Sequence, residues 1–417
     1  MKTLKTIYSL LIISLIGNYN TFAQFQLTDL SNPDKANISK DSLQKMEIYF
    51  HKLVDEKQLA GIQTGILRNG KLIYFDSYGY LNIEKETPVN ENSIFRIFSM
   101  TKPIVSVALM QLYEQGKFKL DDPLYKYIPE FKKLNVLNGT TLVPAKNPIR
   151  IIDLLRHTSG YNYGNGRNTT LNQYYTQANL YTSKNNKEFV KKLSTIPLQF
   201  EPGTNWQYGL STNICGYLIE VLSGKTLKQY LKDSIFEPLQ MNDTHFQLPR
   251  SKVHRFATGY RWNANGGLYV SEPHDDNRYI NEVTLFNGGG GLVSTTFDYL
   301  KFCQMLLNDG SLNNVSILKP ETIALMTADH LDETRKHQSE GLRLPNGEAS
   351  FGLGFAIRGE NPNVLEKVYG WGGAAGTYFK IDAKHNLVYV MMIQLSPYRQ
   401  LGLRQQLQEF INAAIIE

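Results

Sequence analysis

The sequence predicts an α+β fold: one antiparallel sheet assembled from both chain ends, flanked by helices, with a mostly helical region inserted between the ends. Three observations lead there. Paired β-rich runs lie near both termini, an apolar-periodic helix borders each pair, and the middle of the chain carries mostly helical stretches separated by polar loops.

The chain begins MKTLKTIYSLLIISLIGNYNTFAQ. Lys2 and Lys5, an apolar run beginning at Ile7, and the small residues Thr21 and Ala23 form the pattern of a cleaved export signal over residues 1–23. The run is shorter than the roughly 18 residues of a membrane span. The mature chain, residues 24–417, is therefore expected in the periplasm or outside the cell, without stable membrane insertion. No cysteine lies near the cut, so a lipid anchor is not expected. Losing Lys2 and Lys5 lowers the formal charge of +6 by two, to +4, too mild to imply a nucleic-acid partner. Cys215 and Cys303 sit in the apolar runs NICGYLIEVL and YLKFCQMLL. Export would permit a bridge between them, but two free buried thiols are the expectation.

Leu43, Met46, Ile48, Phe50, Leu53 and Val54 mark an amphipathic helix over residues 41–58. GIQTGILR and KLIYFDSYGYL follow, joined by Asn69-Gly70, the dipeptide best suited to a tight hairpin. The far end mirrors this arrangement. GTYFKID and LVYVMMIQL are joined by a turn over residues 383–386, and a helix is expected over residues 399–416. Long polar loops are expected at 161–186 and 259–284. One domain results, with an α/β part at about 40–98 and 290–417 and a helical part at about 99–289.

Several chemistries lack their motifs. The run Gly288 to Gly291 is followed by no Gly-Lys-Ser/Thr, and SGKT at Ser223 to Thr226 has Ile219 where a phosphate-binding loop needs glycine. The eight histidines show no H-E-x-x-H or paired ligand spacing, and His274-Asp275-Asp276 reads as a solvated loop. No metal or organic cofactor is expected. G-x-S-x-G is also missing; GLSTN, starting at Gly209, lacks its last glycine.

S-x-x-K occurs three times, at Ser42/Lys45, Ser99/Lys102 and Ser316/Lys319. Ser42 opens a polar amphipathic helix and Ser316 lies in a loop. Only Ser99 and Lys102 lead into a helix that is apolar on nearly all sides, through Ile104, Val105, Val107, Ala108, Leu109, Met110 and Leu112 to Gly116. Three residues apart on a helix, the two side chains share a face. Partial burial and the positive end of the helix dipole both favour a neutral lysine amine, which can take the serine proton. Pro103 suits the first turn, where amides lack intrahelical acceptors. An N-cap serine beside a lysine that snorkels to solvent explains the stretch equally well.

Other segments decide between these readings. IRIIDLLRHTSGYNYG contains His157-Thr158-Ser159-Gly160, FEPGTNWQYGLSTNICGYLIEVLSGKTLKQYL contains Tyr208, and GGGGLVSTTFDYLKFCQMLLNDG and YGWGGAAGTYFKID follow in order. Together with SMTK they resemble the serine β-lactamase and penicillin-binding protein superfamily, most closely its family VIII carboxylesterases, which are similar to class C β-lactamases. The likeness runs from about Gly61 to the C-terminus and implies a β-lactamase/transpeptidase-like fold.

By this resemblance Ser99 is the acylated nucleophile, Lys102 its proton acceptor and Tyr208 the second acid/base, its phenolate stabilised by Lys102. The amides of Ser99 and Ala374 form the oxyanion hole, and Gly372 and Gly373 let substrate lie against the strand. Two departures bear on substrate. Trp371 stands where the superfamily's K-T-G lysine would bind a carboxylate, offering an apolar face instead, and Leu210 replaces an amide-binding asparagine. Both favour small uncharged esters. Tyr161 and Tyr163 are expected in the cleft, and His157 in a structural loop. The same residues serve a D-amino-acid peptidase or amidase, a β-lactamase or an acyltransferase, and a non-catalytic binder of peptidoglycan-like ligands is the alternative of another class. In each case the partner is a small molecule.

Overall fold

The computed structural model describes residues 30–263, 266–331, 350–358 and 368–416; the expected export signal lies outside them. Helix α1 (Lys40–Asp55) starts one turn earlier in capping terms than its sequence suggests. Ser39, not Ser42, is the N-cap, its side chain accepting from the Ser42 amide at 3.2 Å. Leu43, Met46, Phe50 and Leu53 form its buried stripe.

Strands β1 (Gly61–Arg68) and β2 (Lys71–Asn82) form the predicted hairpin. Arg68 pairs with Lys71, and Asn69 and Gly70 take φ of 53° and 71°, the two positive values that a type I′ turn demands. The short β3 (Thr87–Pro88) adds an edge. From the other end come β4 (Ser350–Phe351), β5 (Ala356–Arg358), β6 (Val368–Gly372), β7 (Tyr378–Asp382) and β8 (Leu387–Met392). The order is β4-β5-β6-β7-β8-β1-β2-β3, antiparallel throughout. The two chain ends meet at β1 and β8, in register from Gln63 opposite Met392 to Arg68 opposite Leu387.

Strand β8 shows why its sequence is unbrokenly apolar. Leu387, Tyr389 and Met391 pack under α1 and the C-terminal helix α5 (Leu403–Ala414), whereas Val388, Val390 and Met392 join the larger core on the opposite face. Each such side chain contributes about 1.5–3 kcal/mol on burial. The larger core encloses α2 (Thr101–Glu114), α3 (Ser211–Ser223) and α4 (Thr296–Leu307). In α2 every residue from Thr101 to Met110 is buried, as the all-round apolar sequence predicts.

The expected C-terminal helix is interrupted. A 3₁₀ turn at Arg399–Leu401 stops at Gly402, whose φ of 59° is left-handed, and α5 begins only after it. The expected polar loops also hold structure. Asn168 caps a helix at Thr169–Ala178, and Gly259–Trp262 pairs with Leu268–Glu272 in a hairpin. A further hairpin, Asn135–Asn138 with Thr141–Pro144, lies in the region expected to be helical. Each strand of these ribbons is only four or five residues long, too short for period-two alternation to reveal it.

Cys215 and Cys303 are buried and unpaired, and burial pushes both thiols up. Among the described residues no helix is long and apolar enough to cross a membrane, and no group of three His, Cys, Asp or Glu could hold a metal.

Candidate active site

A two-stranded ladder outside the main sheet, Ile94–Arg96 with Val293–Thr295, sets two turns side by side. One leads from Arg96 through Ile97 and Phe98 to Ser99; the other is the glycine run. Phe98 has φ of 43°, a left-handed conformation that costs a bulky residue roughly 1–3 kcal/mol and recurs where a side chain must be presented sharply. Ser99 then sits in the 3₁₀ turn Phe98–Met100 that opens α2.

Lys102 is 1% exposed. Its Nζ lies 2.6 Å from the Gly289 carbonyl, 2.9 Å from the Tyr163 hydroxyl and 3.3 Å from Ser99 Oγ. The carbonyl can only accept, but each hydroxyl can donate or accept. A neutral amine can therefore give one N–H to Gly289, share the other with Tyr163, and keep its lone pair for the Ser99 proton. The glycine run, read from sequence as a tight turn, has this additional role. A Cβ at Gly289 would overlap the Asn213 amide oxygen, so a side chain there would push Asn213 aside beside the carbonyl that meets Lys102.

Tyr208 precedes α3. Lys102 Nζ lies 4.7 Å from its ring centroid, and the Trp371 indole N–H donates to its hydroxyl at 3.1 Å. Burial pushes the Tyr208 phenol up, but the Lys102 cation, with hydrogen bonds from Lys102, Ser99 and Trp371, outweighs it and holds the phenol below its ordinary value. Tyr163 is the opposite case: burial and the neighbouring Tyr208 push it well up, so it stays a neutral phenol. Gly209 allows the two tyrosines to meet, because a side chain there would overlap the Tyr161 backbone. Their rings lie 5.5 Å apart.

The end of β6 closes the site. A Cβ at Gly373 would come within 2.5 Å of the Ile97 carbonyl oxygen, so glycine lets the strand abut the Ser99 turn. Ser99, Tyr208, Trp371, Gly372, Gly373 and Ala374 line a cavity of about 380 Å³, with Tyr398 and Arg404 on its far wall. Among the described residues neither the Ser99 nor the Ala374 amide has a hydrogen-bond acceptor. Two free donors beside a serine, an amine and a tyrosine suit acyl transfer through an oxyanion.

Three residues named from sequence stand differently. Tyr161 is fully buried, packed edge-on against Phe131 at 6.2 Å, and does not line the cavity. Leu210 is likewise a core residue at the start of α3. Trp371 lines the cavity but is only 6% exposed. Its ring is held by Tyr208 at 5.0 Å and Phe351 at 5.3 Å, so what it offers the site is a directed N–H more than a broad apolar face.

His157 is no proton carrier. It is buried beside Trp206, Tyr208 and Phe351, its Nδ1 has no hydrogen-bond partner among the described residues, and burial followed by the Lys102 charge depresses it well below its ordinary value of 6.5. His245 is depressed to about 4, again chiefly by burial. The unfolded chain takes up these protons near pH 6.5 and the folded chain resists them, so stability falls as pH falls. The urea midpoint is expected to drop between pH 6.5 and about 4, and His245→Gln should flatten part of that decline.

Comparisons with known proteins bear on the family and the fold. The family described as Beta-lactamase matches residues 46–409. An uncharacterized protein of Mycobacterium tuberculosis is 31% identical over 360 residues, covering 82% of this chain and 88% of that one. Esterase EstB of Burkholderia gladioli is 26% identical over 383 residues, covering 84% and 89%. The solved structure of simvastatin synthase (LovD) from Aspergillus terreus superposes with a TM-score of 0.77 at 26% identity, covering 90% of this chain and 98% of that one. The chain belongs to the Beta-lactamase family and is a serine hydrolase of the β-lactamase/transpeptidase-like fold.

Proposed function

We propose that this serine hydrolase is an exported carboxylesterase that cleaves small uncharged esters through an acyl-enzyme on Ser99. Ser99 Oγ gives its proton to Lys102 Nζ as it attacks the ester carbonyl, and the amides of Ser99 and Ala374 receive the negative oxygen. Tyr208 then protonates the departing alkoxide. That step leaves a phenolate beside a lysine cation, the pair that the low Tyr208 phenol favours. Water returns a proton to Tyr208 and attacks the acyl carbonyl, and Lys102 returns its proton to the leaving Ser99 Oγ.

The observation that carries the ester reading is the Trp371 indole bonded to Tyr208. The side chain at the K-T-G lysine's place is committed to the catalytic tyrosine and supplies no charge for a substrate carboxylate. EstB, an esterase in name, lends the same direction. Nitrophenyl acetate, nitrocefin and a D-alanyl anilide compared at equal enzyme test it. The ester is expected to exceed the others in kcat/KM by at least about tenfold, and a faster β-lactam or anilide would reassign the substrate.

Two further results are expected. Trp371→Phe keeps the ring but removes the donor, so the Tyr208 phenol rises. The descending limb of the kcat/KM pH profile, where Tyr208 loses the proton it must donate, should move to higher pH, and an unmoved limb would separate Trp371 from the acid/base. Export rests on residues 1–23. Mass spectrometry of the secreted chain should find a mature N-terminus at Gln24, and an intact Met1 in the exported fraction would contradict cleavage.

A further inference from the structure

Arg404 stands in the first turn of α5, 5% exposed on the cavity wall. Among the described residues it has no carboxylate partner. Its guanidinium lies 4.4 Å from the Tyr398 ring centroid and 5.3 Å from that of Tyr378. Nη2 donates to the Gly373 carbonyl at 2.6 Å and to the Thr377 carbonyl at 2.8 Å. The neighbouring glycine is shaped to it, since a Cβ at Gly372 would overlap the guanidinium. A buried cation without a counter-ion is unfavourable unless its hydrogen bonds are well used. Here they end on the loop that carries the Ala374 amide.

The Gly373 carbonyl and the Ala374 N–H belong to one planar peptide group and, in the trans form, point in opposite directions. Holding the carbonyl therefore fixes the aim of the N–H. The Gly376 amide holds the same carbonyl at 3.2 Å and closes the turn. A charge-assisted bond at the oxygen also draws electron density through the amide and makes its N–H a stronger donor.

We propose that Arg404 is a positioning residue of the oxyanion hole, its guanidinium orienting and polarising the Gly373–Ala374 peptide so that the Ala374 N–H meets the tetrahedral intermediate already aligned. This rests on Ser99 acylation as read above. In this role Arg404 acts through that peptide rather than on a reacting atom, so its loss should weaken transition-state binding and leave ester binding nearly intact.

Stopped-flow acylation by nitrophenyl acetate tests this in Arg404→Ala, Arg404→Lys and Gly372→Ala, with circular dichroism confirming folding. In Arg404→Ala the acylation rate is expected to fall about 10- to 100-fold, less than the loss of a whole donor, while the ester dissociation constant changes by less than about threefold. Arg404→Lys, which keeps the cation, should fall between this variant and the parent. Methylguanidine added to Arg404→Ala should recover rate without changing ester binding. Gly372→Ala, which displaces the guanidinium but keeps it, should reproduce the rate loss. Parental acylation by folded Arg404→Ala, a loss confined to ester binding, or failure of both Arg404→Lys and methylguanidine to recover rate would overturn the inference alone. Absence of Ser99 acylation in the unsubstituted chain would overturn the functional reading beneath it.

Discussion

Ser99→Ala is expected to lower kcat/KM on nitrophenyl acetate by about 10⁴-fold or more, the scale on which nucleophile removal acts in serine hydrolases, and to abolish labelling by a fluorophosphonate probe. The change should leave the fold intact. Ser99 is half-buried in a 3₁₀ turn whose shape is set by Phe98 and by the packing of Met100 beneath it, and its Oγ is one of three contacts to Lys102. The thermal midpoint should therefore stay within a few degrees of the parent, since small substitutions at such sites change stability by about 1 kcal/mol or less. A folded Ser99→Ala variant that kept ester turnover would move the chemistry elsewhere.

Tyr208→Phe is expected to lower kcat by about 10²- to 10⁴-fold, the usual range for a general acid/base. Phenylalanine preserves the ring packing against Trp371, His157 and Tyr163, so the loss reports the hydroxyl. The variant should also separate the two half-reactions. A slowed burst shows Tyr208 in leaving-group protonation, and accumulation of acyl-enzyme shows it in water activation. Stopped-flow absorbance with quenched-flow mass analysis reads both. Unchanged kcat would leave Tyr208 a core tyrosine, with Lys102 handling the protons alone.

The elements that proved legible had strong local causes. Asn69-Gly70 dictated a turn type, the apolar run of β8 marked the second strand of a hairpin, and the all-round apolar α2 marked a buried helix. What stayed hidden depends on contacts between distant segments. Gly289 reaches Lys102 across 187 positions of chain, and no local pattern marks a carbonyl as an acceptor. Arg404 is one of many arginines until the fold sets its guanidinium against Gly372 and Gly373. Tyr163 and Tyr161 differ by two positions, yet Gly209 draws the chain in so that one faces Lys102 and the other the core. Trp371 was identifiable as the residue in the lysine's place, but the direction of its N–H was not. The three S-x-x-K tetrapeptides divide on burial and contact. Lys102 is enclosed, whereas Lys45 and Lys319 are exposed, and only Lys102 lies within hydrogen-bond reach of its serine among the described contacts.

The central claim is that Ser99 forms a covalent acyl-enzyme. Peptide-mapped mass spectrometry of the full chain, quenched during turnover of a slowly hydrolysed nitrophenyl ester, tests it most directly. The account predicts one acyl group per chain, on the peptide that contains Ser99, present in Tyr208→Phe and absent in Ser99→Ala. Turnover with no adduct, or with the adduct on another residue, would contradict it.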